Sequence, residues 1–235
     1  VEGFEDVVNA YRNDGGFSVF ITGSNSYLLS GELATKLTGR YVEFDMFTLG
    51  FGEYLQMKSH LGQALENDAR EFETWLREGG FPRSLGFTDP QAKDAYARDV
   101  VDQIIEKDIK ARKKIRNTVA FERSMAYAIN NFAATTNLSN VVEYLRDVEH
   151  IAVKHQTLSG YLDLLENAKL LYKCPRFDLK SRRSLRGEEK YYLADPAIYR
   201  ARNTDARLNY GPALENALFT HLLSKGYSVS VGRIG

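Results

Sequence analysis

Thr22-Gly23-Ser24-Asn25 is the stretch whose residue types and setting could do chemistry. It follows an apolar run, Phe17-Ser18-Val19-Phe20-Ile21, and precedes Leu28, Leu29, Leu33 and Leu37, which repeat at three and four residues. A short run rich in β-branched and aromatic residues is expected as a parallel strand buried on both faces. The leucine spacing is expected as a helix. Polar residues then sit at the carboxyl end of a strand just ahead of a helix, where open α/β sheets bind ligands. Helix N-termini carry unpaired N–H donors and a partial positive charge, so Thr22, Ser24 and above all Asn25 could meet a phosphate. The same Ser-Asn pair also suits a plain helix cap, which needs no ligand.

The elements that would hold this tetrad come in a readable order. Residues 1–13 have the spacing of an amphipathic helix, with Phe4, Val7, Val8 and Tyr11 on one side, closed by Asp14-Gly15-Gly16. Residues 41–47 alternate as a second strand, and Phe51 to Lys58 read as a short helix. Ala64 to Glu78 should be a helix with a stripe of Leu65, Ala69, Phe72, Trp75 and Leu76. Gly79-Gly80-Phe81-Pro82 stops it, two glycines able to turn left-handed and a proline that blocks continuation. Asp89 to Arg112 reads as one long helix, with Asp-Pro at its start and a basic end that suits the helix dipole.

From Thr118 onward the order is three helices, at 119–132, 138–147 and 156–167, then strand-like runs at 169–174 and 190–194 around a polar hairpin. Helix, helix, helix, strand, wing, strand is the layout of a winged helix, whose third helix often enters the DNA major groove. The start of that helix offers Lys154, His155, Gln156 and Ser159. The hairpin carries five cations, Arg176, Lys180, Arg182, Arg183 and Arg186, which could neutralise phosphates. Glu188 and Glu189 dilute that charge, and a solvated loop or a protein contact is the competing reading.

Composition sets outer limits. With 235 residues, 43% hydrophobic, the chain can build a sizeable core and more than one domain. Thirty-one basic against 31 acidic residues cancel, so a nucleic-acid or membrane partner must use a local patch. The one cysteine, Cys174, excludes an intrachain disulfide framework, and four scattered histidines show no metal-ligand spacing, so no metal site is assigned. No apolar run approaches the roughly 18 residues of a membrane helix and no signal-like segment opens the sequence, so a cytoplasmic location without a membrane partner is expected.

The stretch F-I-T-G-S-N-S-Y-L-L-S-G-E-L-A-T-K-L-T-G-R-Y-V-E-F resembles the second half of the nucleotide-binding domain of bacterial and archaeal AAA+ superfamily ATPases that also carry a winged helix and a nuclease-like C-terminal region. The resemblance implies that Asn25 is the sensor of the γ-phosphate and that Arg40 contacts phosphate or acts as an arginine finger. It places Glu53 and Tyr54 in the family's pattern and Gly80 and Pro82 in a helical lid near the nucleotide, flanked by Arg77 and Arg83. G-x-x-L-E-N at residues 211–216 resembles the opening helix of the restriction-endonuclease-like region, where Glu215 would be a helix glutamate of a magnesium site.

No G-x-x-x-x-G-K-[ST] occurs in the sequence, and both ends read as interior parts of a longer protein. The expectation is therefore a fragment of an AAA+ ATPase lacking the P-loop, with ATP and Mg the cofactors of the intact protein and none bound here. Its fold class would be α/β plus mostly α: a partial parallel-sheet nucleotide-binding domain, a helical lid, a winged helix and the start of a nuclease-like α/β region. The expected boundaries are 1–60, 61–115, 116–196 and 197–235. Expected partners are duplex DNA through the winged helix and a second copy in a homo-oligomer, and the rival function is a DNA-binding or protein-interaction adaptor.

Overall fold

A computed structural model describes residues 4–23, 41–111, 113–178, 183–203 and 207–232. Helix α1 spans Phe4–Asn13, α2 Phe51–His60, α3 Asp68–Glu78 and α4 Pro90–Gln103. Asn67 caps α3 by accepting the Arg70 N–H at 3.0 Å, and Asp89 caps α4 by accepting the Gln91 N–H at 3.1 Å ahead of Pro90. The long helix expected to reach Arg112 does not stay α-helical. It widens to a π-helical stretch, Ile104–Lys110, in which the Ala111 N–H reaches back five residues to the Glu106 carbonyl. The widening keeps Val101, Ile105 and Ile109 buried along one line, which is the packing that matters there.

Helices α5 (Thr118–Asn130), α6 (Leu138–Asp147) and α7 (His155–Asn167) follow, with a two-residue strand β1, Thr135–Thr136, between the first two. Asn117 and Asn137 cap α5 and α6 with their side-chain oxygens. Strands β2 (Leu171–Asp178) and β3 (Arg183–Leu193) form a long hairpin, and α8 (Ala197–Arg202) and α9 (Tyr210–Ser224) complete the chain. The sheet is antiparallel throughout, ordered β1-β3-β2, with Leu171 opposite Leu193 and Thr135 opposite Lys190. Beyond the expected strand runs the ladder continues into the polar hairpin, broken where Pro175 has no N–H to give. At the break the C-terminal residues step in: Val231 N–H donates to the Pro175 carbonyl at 3.1 Å, and Phe177 N–H donates to the Val231 carbonyl at 2.9 Å.

The main core joins α4, α5, α7, β2, β3 and α8, with Phe121, Leu165, Leu171 and Leu193 fully buried in it. Helix α7 turns Leu162 and Leu165 inward, and Ala168 just past its end is buried with them. A second, smaller core packs Tyr54 of α2, Trp75 and Leu76 of α3, Leu85 of the 3-10 turn Pro82–Gly86, and Ala213 and Ala217 of α9.

The expected parallel sheet is corrected. Among the described residues, 17–23 and 41–50 lie outside any strand, and the one sheet is the antiparallel one. A parallel strand buried on both faces needs flanking strands and covering helices, and among the described residues no strand pairs with 17–21 or 41–47. Without them Phe20 is 87% exposed and Val42, Phe44 and Met46 stand open. Leu65 of the expected α3 stripe is likewise outside the helix and about half exposed.

Candidate functional site

Two residues past the end of β3, the carboxylate of Asp195 ties the glycine turn after α3 to the start of α8. It is wholly buried. Gly80 N–H donates to its Oδ2 at 2.8 Å and Ala197 N–H donates to its Oδ1 at 2.8 Å. The Thr48 hydroxyl, which lies 3.4 Å from the Ala194 carbonyl, also bears on this carboxylate. Burial pushes the Asp195 carboxyl up to about 6, against the three donors from Thr48, Ala197 and Gly80, which favour the anion. Its partners are all neutral, so the charge is held by hydrogen bonds alone.

The glycine turn exists to let this happen. Gly79 has φ +81, and a Cβ there would stand 1.9 Å from Asp195 Oδ1 and 2.8 Å from the Ala197 nitrogen. A Cβ on Gly80 would stand 2.2 Å from the Leu49 carbonyl oxygen. Across this contact Leu49 N–H donates to the Gly80 carbonyl at 2.9 Å, and Trp75 Nε1–H donates to the Leu49 carbonyl at 3.0 Å. Residues 48–50 are thus strapped between α3, the turn and β3.

Beside the strap lies a half-open cavity of about 330 Å³. Its walls are mainly apolar, with Phe51, Phe72 and Trp75 on one side and Leu214 and Leu218 of α9 on the other. The polar atoms at its edge are mostly occupied: Glu53 accepts the Gly50 N–H at 2.8 Å, and the Thr220 and Ser224 hydroxyls donate to carbonyls of their own helix.

Two charged clusters brace the same region. Glu71 is buried, and its oxygens accept Lys58 Nζ at 2.8 and 2.7 Å, Glu66 N–H at 2.8 Å and Tyr54 OH at 3.2 Å. Burial alone would raise the Glu71 carboxyl, but the Lys58 ammonium and the other donors outweigh it and hold it below its ordinary range. On the far side, Glu215 Oε1 accepts Lys190 Nζ at 2.5 Å and Tyr192 OH at 2.6 Å. Asn216 clamps the Leu193 peptide group, accepting its N–H at 2.7 Å and donating to its carbonyl at 3.1 Å. The L-E-N residues therefore fasten α9 to β3. Tyr192 stacks on Phe219 at 3.9 Å between ring centres, and its hydroxyl is pushed upward by burial and by Glu215.

The residues picked out from sequence are scattered over this frame. Thr22 is described and exposed. Ser24, Asn25 and Arg40 lie outside the described residues, as do Lys180 and Arg182. Gly80 is at the heart of the Asp195 cluster with its amide already engaged, and Pro82 is exposed at the start of the 3-10 turn. Lys154, His155 and Gln156 are exposed at the start of α7, with Ser159 half-buried behind them. Arg183 and Arg186 have their backbone in β3. The other cations of the hairpin are paired: Lys173 with Glu189 at 3.0 Å, Arg176 with Glu188, and Lys190 with Glu215. Among the described residues no group of three or more His, Cys, Asp or Glu could hold a metal ion, and no helix is long and apolar enough to cross a membrane. Cys174 is buried and its thiol is pushed up to about 11, so it is not poised as a nucleophile.

Sequence reasoning passed over Asp195. Its signal was an Asp-Pro-Ala sequence closing an apolar strand, the pattern of a carboxylate turning back onto the N–H two residues on.

Known proteins place the two halves of this junction in different families. Residues 1–55 match the AAA domain, so an AAA-like domain is indicated there, and residues 69–207 match the Domain of unknown function (DUF8612). An uncharacterized protein of Haemophilus influenzae is 36% identical over 234 residues, covering 100% of this chain and 58% of its own length. The uncharacterized protein MJ1544 of Methanocaldococcus jannaschii is 27% identical over 221 residues, covering 92% of this chain and 49% of its own. The chain thus spans between 49% and 58% of the length of these curated relatives. Through the stretch from α3 to just beyond α8, which contains both the glycine turn and Asp195, the chain belongs to the DUF8612 family.

Proposed function

We propose that this chain is the sensing and output portion of an AAA-type ATPase, in which ATP hydrolysis is coupled to movement of the α5–β3 body. In that reading Asn25 orients the attacking water or senses the γ-phosphate, and Arg40 neutralises charge that develops in the transition state. Both fall within the residues that match the AAA domain. ATP and Mg would be held chiefly by a P-loop that this sequence does not contain. Of the cofactor-binding candidates, Thr22 is exposed and able to turn toward a nucleotide, whereas Gly80 could serve only through the shape of its turn, its amide being spent on Asp195.

The observation that carries the proposal is the strap. Leu49, inside the AAA-matching region, is hydrogen-bonded to Gly80 and Trp75 of the family domain, so the end of one is built into the other. The order α5-β1-α6-α7-β2-β3 with sheet order β1-β3-β2 supports reading the moving body as a winged helix.

Phosphate release measured on the longer Haemophilus influenzae relative tests the reading. We expect ATP-dependent turnover, lost by at least about tenfold when the residue aligned with Asn25 is changed to Ala, and no turnover from the present 235 residues. A relative that binds no nucleotide would end the proposal.

Exposure of Lys154, His155 and Gln156 favours a second reading, a winged-helix adaptor that contacts duplex DNA or protein. The glutamates on Lys173, Arg176 and Lys190 weigh toward a protein contact. Anisotropy with random duplex at two salt concentrations separates the two partners, because phosphate binding must weaken with salt.

A further inference from the structure

Four residues form a hydrogen-bonded series through the junction. Trp75 Nε1–H donates to the Leu49 carbonyl at 3.0 Å, Leu49 N–H to the Gly80 carbonyl at 2.9 Å, and Gly80 N–H to Asp195 Oδ2 at 2.8 Å. Asp195 Oδ1 continues it to the Ala197 N–H at 2.8 Å, the first residue of α8. Helix α8 is in turn fastened to α4 by Arg200 on Asp94 at 2.7 Å and Arg202 on Asp102 at 2.8 Å.

The series has little slack. Both glycines are packed too closely to admit a methyl group, so the turn cannot shift without moving Leu49 or Asp195. A buried carboxylate without a cation cannot give up a donor at low cost, which holds the Gly80 end of the series in place. Leu49 and Gly80 each accept one bond at the carbonyl and give the next from the N–H, two adjacent peptide groups joined through the residue's own Cα.

We propose that the series Trp75, Leu49, Gly80, Asp195 is a mechanical joint: a displacement of the residues leading into Thr48 is passed to the Asp195 carboxylate, and from there to α8 and the long helix α4. The joint is a property of the chain itself and stands whether or not a nucleotide ever binds. The series crosses between the two matched stretches, with Leu49 in one and Trp75, Gly80 and Asp195 in the other.

Amide hydrogen exchange on the 235-residue chain tests it with Trp75→Phe, Asp195→Asn and the double variant. Trp75→Phe removes the first link together with part of the buried indole's packing, while keeping an aromatic ring beside Phe51 and Phe72. We expect it to speed exchange at Leu49 and Gly80 about tenfold, the worth of roughly one buried hydrogen bond. We also expect faster exchange at Ala197, at the far end of the series; because α3 and Gly79 also pack on α8 directly, the double variant decides the route. The double variant should speed Leu49 by clearly less than the product of the two single effects, the mark of coupled sites. Unchanged exchange at Ala197 in Trp75→Phe, simple multiplication of the single effects, or an equal rise across α5 each overturns the joint, the last by showing general loosening. Should Asp195→Asn fail to fold, Thr48→Val replaces it in the same cycle, with Ala197 as the readout and the same outcomes deciding.

Discussion

Asp195 makes a quantitative prediction about how stability depends on pH. Burial raises its carboxyl from the ordinary value of 3.8 to about 6 in the folded chain. A tenfold change in proton affinity corresponds to about 1.4 kcal/mol, so the two protonation states differ by about 3 kcal/mol in their preference for the fold. A carboxyl whose folded value is raised contributes stability that is complete below its unfolded value and is lost as pH climbs through the folded value. The window therefore opens near the ordinary value of 3.8 and extends through about 6.

Asp195→Asn removes the titration but turns an NH2 toward one of the two backbone donors, Gly80 or Ala197. That mismatch costs about 1–3 kcal/mol at every pH. The wild-type advantage over the variant should therefore shrink by about 2.5 kcal/mol between about pH 4 and about pH 7.5. Urea denaturation of both proteins at the two pH values, followed by tryptophan fluorescence of the single Trp75, measures it. An advantage that is constant, or that grows with pH, would refute the idea of a buried anion supported only by neutral donors.

Other changes have definite expected outcomes. Gly80→Ala forces a methyl group to within 2.2 Å of the Leu49 carbonyl, so thermal denaturation should show a loss of about 3 kcal/mol or more. Asn216→Ala leaves the Leu193 N–H and carbonyl without their side-chain partners, and should cost about 2 kcal/mol while loosening α9 from β3, which limited proteolysis would detect. Glu71→Gln strands the Lys58 ammonium, which is only 15% exposed, and should cost about 3 kcal/mol or more in the same denaturation assay.

The half of the fold after Thr118 is legible in the sequence because its signals are local. Asn117 and Asn137 stand at helix starts and cap them, and Leu162, Leu165 and Ala168 repeat with the helical period that buries them. The apolar runs at 17–21 and 41–47 misled for the opposite reason, since a buried parallel strand depends on neighbours distant in sequence and its residues carry no record of whether those neighbours are present. The π-helical stretch after Gln103 leaves no local mark either, because Ile104 and Ile105 fit both helical periods. Gly79-Gly80 read correctly as a helix stop, but a stop explains only one of its two duties. The need for an atom-thin turn arises from Asp195, 115 residues away from Gly80, and no spacing rule reaches that far. Glu215 read as a metal ligand by resemblance, whereas Lys190 and Tyr192 occupy it here.

The break at Pro175 has a consequence for how the molecule avoids its own kind. An outermost strand with free amides and carbonyls invites a stranger's backbone to add itself, and β2 is such a strand. A proline withdraws one donor from that row, and Val231 fills the next gap from within the chain. At that point the border of the sheet is covered by Val231 of the same chain, which leaves fewer vacancies for a second molecule to exploit.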